Sequence, residues 1–414
     1  MHTFICRVAS ITFSLLLAVG TTRAGDVYVQ TNLVTNNPSL VTGAPITDTN
    51  LQGAWGLSFS KTSPFWISDQ DANVKGSGAT TVYRVSTTQP PSSSPPVLTV
   101  GIPNQRNAPP SGPAMTNGPT GQVNTTAPFI TTVSGDFPVP VGGSKAAFIF
   151  ANLDGSISGW NGGATSTIMA TVPGASFTGL AIGNLPGPVG GPVGAAQLYA
   201  ADQNSGNIDV INNKWQMTGS LIDPNFANFP TGYAAFNVQN LNVNGTQTLF
   251  VTYANQSTSG GIVDEFSTNG TFIKTLISDT AGAHLNSPWG LAIAPQGWGQ
   301  FGGDLLVGNN NAGPDSLTEI NAYSLSGAWQ GTLTLNTGQP FSATELWALS
   351  FGNGVGAGST DTLFFTAGLD NNANGLFGAI SSVPEPSSAV LGLIAMGVLA
   401  GGWRWKNRRR TGRS

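Results

Sequence analysis

Six times along this chain, short apolar runs recur in the same order, and that periodicity narrows the available folds more than any other feature. The first run of each unit sets a small or polar residue before a larger one. It takes the forms Trp55-Gly56-Leu57-Ser58-Phe59, Thr120-Gly121-Gln122-Val123 and Thr178-Gly179-Leu180-Ala181-Ile182. It returns as Asn237-Val238-Gln239-Asn240-Leu241, Trp289-Gly290-Leu291-Ala292-Ile293 and Trp347-Ala348-Leu349-Ser350-Phe351. A second apolar run follows each, at 65–69, 148–152, 198–202, 249–253, 305–309 and 363–367, and ends on a polar or small residue. After a Gly- or Asn-rich turn comes a third, at 81–85, 156–160, 207–211, 262–266, 319–323 and 376–380. The polar–apolar alternation of Asn207-Ile208-Asp209-Val210 is that of a half-exposed strand. A looser fourth run closes most units, as at 97–102, 167–172 and 272–277.

Four short antiparallel strands repeating every ~50 to 65 residues match a propeller blade rather than a helical solenoid. The expected fold is all-β, a six-bladed β-propeller of four-stranded blades, with a two-sheet sandwich or an open β-solenoid as the competing architectures. The strand count carries a further expectation. The sixth unit stops after its third run, and the extended stretch 27–34 belongs to no unit of its own. Placing that stretch as the missing strand closes the ring and hides both sheet edges. A Pro/Ser/Thr-rich insertion at 87–117 is expected to be a solvated loop.

Both ends lie outside the repeats. Residues 1–24 combine Arg7, an apolar stretch over 8–20 and the small-residue site Thr22-Arg23-Ala24, the pattern of a cleaved export signal. Cleavage after Ala24 removes the single cysteine, Cys6, so no disulfide supports the mature chain. At the other end, Pro384-Glu385-Pro386 precedes an apolar run over 389–405 that includes Gly392, Gly397, Gly401 and Gly402. Its length of about 17 residues is the lower limit for a membrane helix. Trp403 and Trp405 suit the interfacial belt, and Arg408, Arg409 and Arg410 would hold that end in the cytoplasm as a stop signal. The expected organisation is therefore a signal peptide over 1–24, the propeller over 25–382 and a sorting tail over 383–414.

This tail resembles the PEP-CTERM sorting signal, with the Pro-Glu-Pro tripeptide, the short membrane helix and the Arg-rich terminus in order. The resemblance implies a Gram-negative host, processing by an exosortase, transient anchoring in the inner membrane and traffic to the cell envelope, surface or exterior, often alongside exopolysaccharide production. The repeats themselves, including the string Leu285-Asn286-Ser287-Pro288-Trp289-Gly290-Leu291-Ala292, resemble an uncharacterised propeller family near the NHL type that often carries such tails. That second resemblance implies a fold and no activity.

Between the two ends only seven basic residues stand against eighteen acidic ones. A body so acidic repels phosphate backbones, so nucleic acid is not an expected partner. Catalytic groups are scarce. His284 is the one histidine of the mature body and sits in a Gly/Ala-rich turn. No acid or nucleophile is tied to it by a recognisable motif, so it is expected to be structural or superficial. His/Cys zinc sites are excluded by counting.

One constellation remains. The last positions of the second runs are Asp69, Asn152, Asp202, Tyr253, Asn309 and Ala367. Equivalent positions of a propeller form a ring about its axis, and the carboxylates and amide oxygens of Asp69, Asn152, Asp202 and Asn309 would suit Ca²⁺. Lactonase-type propellers hold a catalytic calcium in a comparable place, and that fold-level resemblance implies a metal-dependent hydrolase. The other reading is local: Asp and Asn at strand ends cap the backbone donors of their own turns. Trp55, Trp289 and Trp347 share one blade position and are expected to pack between blades. Trp160, Trp215 and Trp298, near turns, are expected to be exposed and better placed to stack on carbohydrate.

Three functions follow. The first is a non-enzymatic binding or scaffolding module for polysaccharide or envelope proteins. The second is a calcium-dependent lactonase- or esterase-like hydrolase working at the axial ring. The third is a purely structural envelope component.

Overall fold

The computed structural model describes residues 27–74, 77–104, 118–140, 144–188, 191–255, 257–310 and 318–383. The export signal, Pro384-Glu385-Pro386, the apolar run 389–405 and Arg408–Arg410 lie outside the described residues. Among the described residues no helix is long and apolar enough to cross a membrane. Regular structure there is almost wholly strand, with two single-turn 3-10 helices at Phe226–Asn228 and Gly299–Phe301.

Six antiparallel sheets follow one another along the chain, five of them four-stranded, each ordered as the chain runs through it. The six first strands are Ala54–Ser58, Pro119–Asn124, Phe177–Asn184, Ala234–Val243, Pro288–Ile293 and Leu346–Phe351. Each contacts the first strand of the next blade, and the circuit closes from the sixth back to the first, which makes these strands the innermost. Fourth strands such as Met217–Leu221 and Trp329–Thr332 form the wet rim. The chain is thus a six-bladed propeller, as the repeats require.

The small residue of the repeat has a packing cause. A Cβ on Gly56 would collide with the Thr120 carbonyl oxygen of the next inner strand, and one on Gly290 with the carbonyl oxygen of Trp347. Close approach of the strands around one axis therefore selects glycine or alanine there in five blades, the fourth carrying Asn237. Every inner strand also carries a register shift at this level, for example between Ala54 and Leu57 and between Pro288 and Leu291. The repeated bulge bends each strand where the blades crowd together.

Closure comes from the N-terminal strand. Val27–Thr35 pairs antiparallel with Leu376–Val383, from Val27 opposite Val383 to Thr35 opposite Leu376. The short strand Ile46–Thr47 then adds in parallel, giving the sixth sheet a fifth strand. Tyr28 anchors this strand in the fifth blade, its ring 4.6 Å from Trp298 and stacked at 5.9 Å on Phe301. Because the last blade is built from both ends of the domain, its edge is not left open, and the ring holds without a disulfide.

Within the insertion 87–117, residues 87–90 are exposed irregular backbone, in line with the expected loop, and 105–117 lie outside the described residues. Residues 98–102 are the fourth strand of the first blade. Gln89 binds the sixth blade, donating to Thr362 Oγ1 at 2.6 Å and accepting from Ser381 Oγ at 2.8 Å. A Pro- and Ser-rich composition signals an irregular backbone, and here that backbone forms a second tie across the closing seam.

Candidate functional site

Around the axis the two ends of the inner strands differ. At their starts, the position before the small residue holds Trp55, Thr120, Thr178, Phe236, Trp289 and Trp347. The indoles of Trp55 and Trp347 stack at 3.5 Å, and Trp289 meets them edge-on at 6.4 and 5.7 Å. Phe236 packs against Trp347 at 5.8 Å, and this aromatic group is buried. Three blades far apart in sequence thus fill the axis with indole, in line with an interblade role rather than a sugar platform.

Each indole N–H has an acceptor. Trp289 donates to the Thr178 carbonyl at 3.0 Å. Trp55 and Trp347 both donate to Asn372 Oδ1, at 3.1 and 2.9 Å. Asn372 comes from the hairpin between the second and third strands of the sixth blade, where Asp370, Asn371 and Asn372 have φ of 57°, 55° and 63°. Asn and Asp tolerate this left-handed region best among non-glycine residues. The Glu345 carboxylate holds the hairpin by accepting from Asn372 N at 2.8 Å. This end of the axis is filled by the rings, and its three indole donors are satisfied.

The other end opens into a cavity of about 170 Å³ lined by inner-strand residues of all six blades. Trp289 forms part of its wall, together with Leu57, Phe59, Val123, Ile182 and Leu349. The polar lining consists of Ser58, Gln122, Asn124, Asn237, Gln239, Asn240, Asn242, Gln247 and Ser350, and no lining residue is ionisable. Several amides are clamped by neighbouring blades. Gln122 Nε2 donates to the carbonyls of Gly56 and Trp66, at 2.8 and 2.6 Å. Asn240 Nδ2 donates to the Ile182 carbonyl at 2.9 Å and to Gln247 Oε1 at 2.8 Å. Carbonyl partners fix which amide atom is the donor, so the oxygens are left over. Gln122 Oε1, Asn240 Oδ1 and Ser58 Oγ are buried without a partner.

A strap from the second blade crosses the mouth. Thr131 N donates to Asn184 Oδ1, Asn184 Nδ2 returns to the Thr131 carbonyl, and Gln247 Nε2 donates to the Phe129 carbonyl. The strap holds Phe129 at φ 70°, with 62% of its surface exposed. A phenylalanine in the left-handed region that also faces water is kept there by its surroundings.

The residues singled out for calcium lie elsewhere. Asp69, Asn152, Asp202 and Asn309 pair with Ala54, Pro119, Phe177 and Pro288, the first residues of their inner strands. They occupy equivalent registers on second strands, level with the sealed end, and none lines the cavity. Asp202 Oδ1 accepts from Ser176 N and Asn204 N at 2.8 and 3.0 Å. Asn309 accepts from Asn286 N at 3.0 Å and donates to the His284 carbonyl at 2.9 Å. Asn152 donates to the Pro103 carbonyl and to Ser156 Oγ, and its Oδ1 has no partner. Both oxygens of Asp69 lack a partner, and burial pushes its carboxyl well above the ordinary carboxylate range. Among the described residues no group of three or more His, Cys, Asp or Glu side chains is arranged to hold a metal ion.

Two tryptophan expectations are overturned. Trp298 is 1% exposed in the core that receives Tyr28, and Trp215 is 9% exposed with Nε1 donating to the Pro138 carbonyl. Adjacent turn residues suggest exposure, but Tyr28 and Phe351 of the sixth blade cover Trp298 and Phe137 of the second blade covers Trp215. Among the described residues the exposed indole is Trp329, at 46%, stacked at 4.2 Å on His284. The strap with Phe129 and the unpaired amides of the cavity also escaped the sequence. The amides leave only a trace there, in Asn237-Val238-Gln239-Asn240, which is more polar than Gly179-Leu180-Ala181-Ile182 or Gly290-Leu291-Ala292-Ile293.

Residues 382–410 match the PEP-CTERM protein-sorting motif. The chain carries an export and sorting tail. That motif implies processing by an exosortase and delivery to the envelope or surface of a Gram-negative bacterium. An uncharacterized protein of Acanthamoeba polyphaga mimivirus is 29% identical over 202 residues, 44% of this chain and 45% of the viral one. A second from the same virus is 26% identical over 217 residues, 48% of this chain and 37% of its own length. The matches thus span less than half of these curated relatives. Similar solved structures include the Dos1 propeller, at TM-score 0.37 and 11% identity over 77% of this chain and 71% of that one. A protein of unknown function from Bacteroides caccae has TM-score 0.31 and 12% identity over 54% and 66%.

Proposed function

We propose that the exported chain is a non-enzymatic binding module of the cell envelope or surface, and that it binds through the open end of its axis. The observation that carries this reading is the cavity lining, which combines amides, hydroxyls and apolar walls with no ionisable side chain. Such a lining can orient a ligand by hydrogen bonds and shape. It supplies no general base, no activated nucleophile and no carboxylate pair, the groups that hydrolysis needs. The calcium-dependent hydrolase would instead have to work at the sealed end, where Asp202 and Asn309 already serve backbone donors.

A direct test measures hydrolysis of a lactone and ester panel by the full chain in detergent, with calcium and with chelator, beside thermal melts against envelope polysaccharide fractions. A melting shift with a polysaccharide fraction and no calcium-dependent turnover is expected. Turnover that needs calcium and disappears in Asp69→Asn would replace the binding module with the hydrolase.

A further inference from the structure

The open end of the propeller differs from the sealed end in what it shows to its surroundings as well as in how it is filled. The strap that crosses the mouth carries Phe129 and Val133, each 62% exposed. Lys145 Nζ donates to the Thr132 carbonyl at 3.3 Å, and Lys214 Nζ donates to the Gly135 carbonyl. Two exposed apolar tips are thus flanked by lysines of the second and third blades. Val193 and Val355 are exposed in open-end loops of the third and sixth blades, and Met217 is exposed at the same level. Exposed apolar groups gathered on one face mark an interaction surface.

Charge is divided in the same sense. Lys61, Arg84, Lys145 and Lys214 lie in loops of the open end, together with Asp136, Asp304 and Asp361. Asp154, Asp279, Glu319, Glu345 and Asp370 lie at the sealed end, beside the strand-end Asp69 and Asp202. The acidic excess of the body therefore faces one way. An anionic surface repels the sealed end and admits the open one.

The closing strands supply a third observation. Val27 pairs with Val383, and Thr362 with Ser381, at the level where Phe351 ends its inner strand beside the cavity residue Ser350. The strands that close the ring therefore enter and leave at the open end. Only residues 384–388 separate Val383 from the apolar run 389–405, a reach of at most ~18 Å.

We propose that the open face of the propeller docks on an anionic lipid surface, with Phe129 and Val133 among the headgroups and Lys145 and Lys214 meeting lipid phosphates. This takes the run 389–405 as the membrane segment and goes beyond the reading of the chain as a binding module. Apolar tips flanked by lysine stems suit the boundary between headgroups and acyl chains. The cavity mouth lies in the same face, so lipid docking and ligand entry are alternative uses of it.

The test uses the full chain carrying Cys6→Ser, reconstituted into vesicles that contain brominated lipid, with a bimane fluorophore on Val133→Cys or on Ile222→Cys. Both positions are exposed, the second at the sealed end, so neither label disturbs packing. In phosphatidylcholine mixed with phosphatidylglycerol, quenching is expected at position 133 and not at 222. The docked-to-undocked ratio should fall about fivefold for each lysine removed in Lys145→Gln and Lys214→Gln, and should fall also in phosphatidylcholine alone. The change of lipid leaves the strap intact, so it decides the matter where a lysine variant loosens the strap. Equal quenching at 133 and 222, or none at 133, would overturn the docking. Quenching at 133 that ignores both lipid charge and the lysines would overturn the anionic partner. Either failure leaves the binding module untouched, since its melting shift with polysaccharide is read in detergent.

Discussion

The two ends of the propeller axis are built from the same six strands and reach opposite outcomes. At one end three indoles and a phenylalanine fill the space, and every indole N–H has an acceptor. At the other end amides are clamped by their donors and keep oxygens with nothing to accept. What separates the two ends is filling: packed aromatic rings close one, whereas the other keeps a cavity whose lining mixes amides, hydroxyls and apolar side chains.

The comparison can be broken by mutation, and the largest effect belongs to the sealed end. Trp347→Ala removes an indole stacked on Trp55 and met by Trp289 and Phe236. It should cost about 3–5 kcal/mol, read from urea unfolding, because the cavity left between blades cannot collapse. A loss under 1 kcal/mol would mean that the aromatic plug does not support the ring.

Next comes Asn372→Ala, which orphans two indole N–H groups at once. A cost of about 2 kcal/mol is expected. Asn372→Gly should recover part of it, since glycine relieves the left-handed backbone while leaving the indoles unpaired. If glycine and alanine behave alike, the strain at this position is negligible.

A third region lies away from the axis. Asp264 is buried beside Asp223 and Thr275, and burial together with the neighbouring Asp223 carboxylate pushes its pKa up to about 8. A folded-state pKa above the unfolded value means that the folded chain binds the proton more tightly. The associated stability is complete below the ordinary carboxylate range and is lost as pH rises through about 8. The melting temperature should therefore fall between pH 5 and pH 9 by about 3 °C or more, and Asp264→Asn should flatten that slope. Unchanged pH dependence in Asp264→Asn would assign the effect to other groups.

The smallest effect on stability is expected at the open end. Ser58→Ala deletes a hydroxyl that has no partner, so stability should stay within about 0.5 kcal/mol of the parent. A destabilisation as large as that of Asn372→Ala would erase the distinction between the two ends.

Much of the scaffold was legible in the chain, and particular residues show why. The glycine of Trp55-Gly56-Leu57 and Trp289-Gly290-Leu291 recurs because neighbouring inner strands nearly touch there, so a packing constraint leaves a periodic mark. The extended stretch 27–34 could be assigned to the last blade by counting strands, since an open edge is unfavourable wherever it falls. The alignment of Asp69, Asn152, Asp202 and Asn309 likewise put equivalent registers side by side. It drew attention to the sealed end, however, because strand-end Asp and Asn stand out in a repeat. The cavity amides do not stand out, because they differ from unit to unit. Exposure was the least legible property. Trp215 and Trp298 sit beside turn residues yet are covered by other blades, whereas Trp329 is left in water.

What the sequence determined by itself is the number of blades, the order of their strands, the closing strand and the sorting tail, because each is written in local pattern or in a contiguous motif. What only the tertiary structure decided is which end of the axis is shut. That choice depends on Trp55, Trp289, Trp347 and Asn372 meeting at one point, although more than 300 residues separate Trp55 from Asn372 along the chain. It depends equally on amides from different blades using their donors on one another's backbones and leaving their oxygens free. Contacts between residues so distant leave no period in the sequence, and they exist only once the ring has closed.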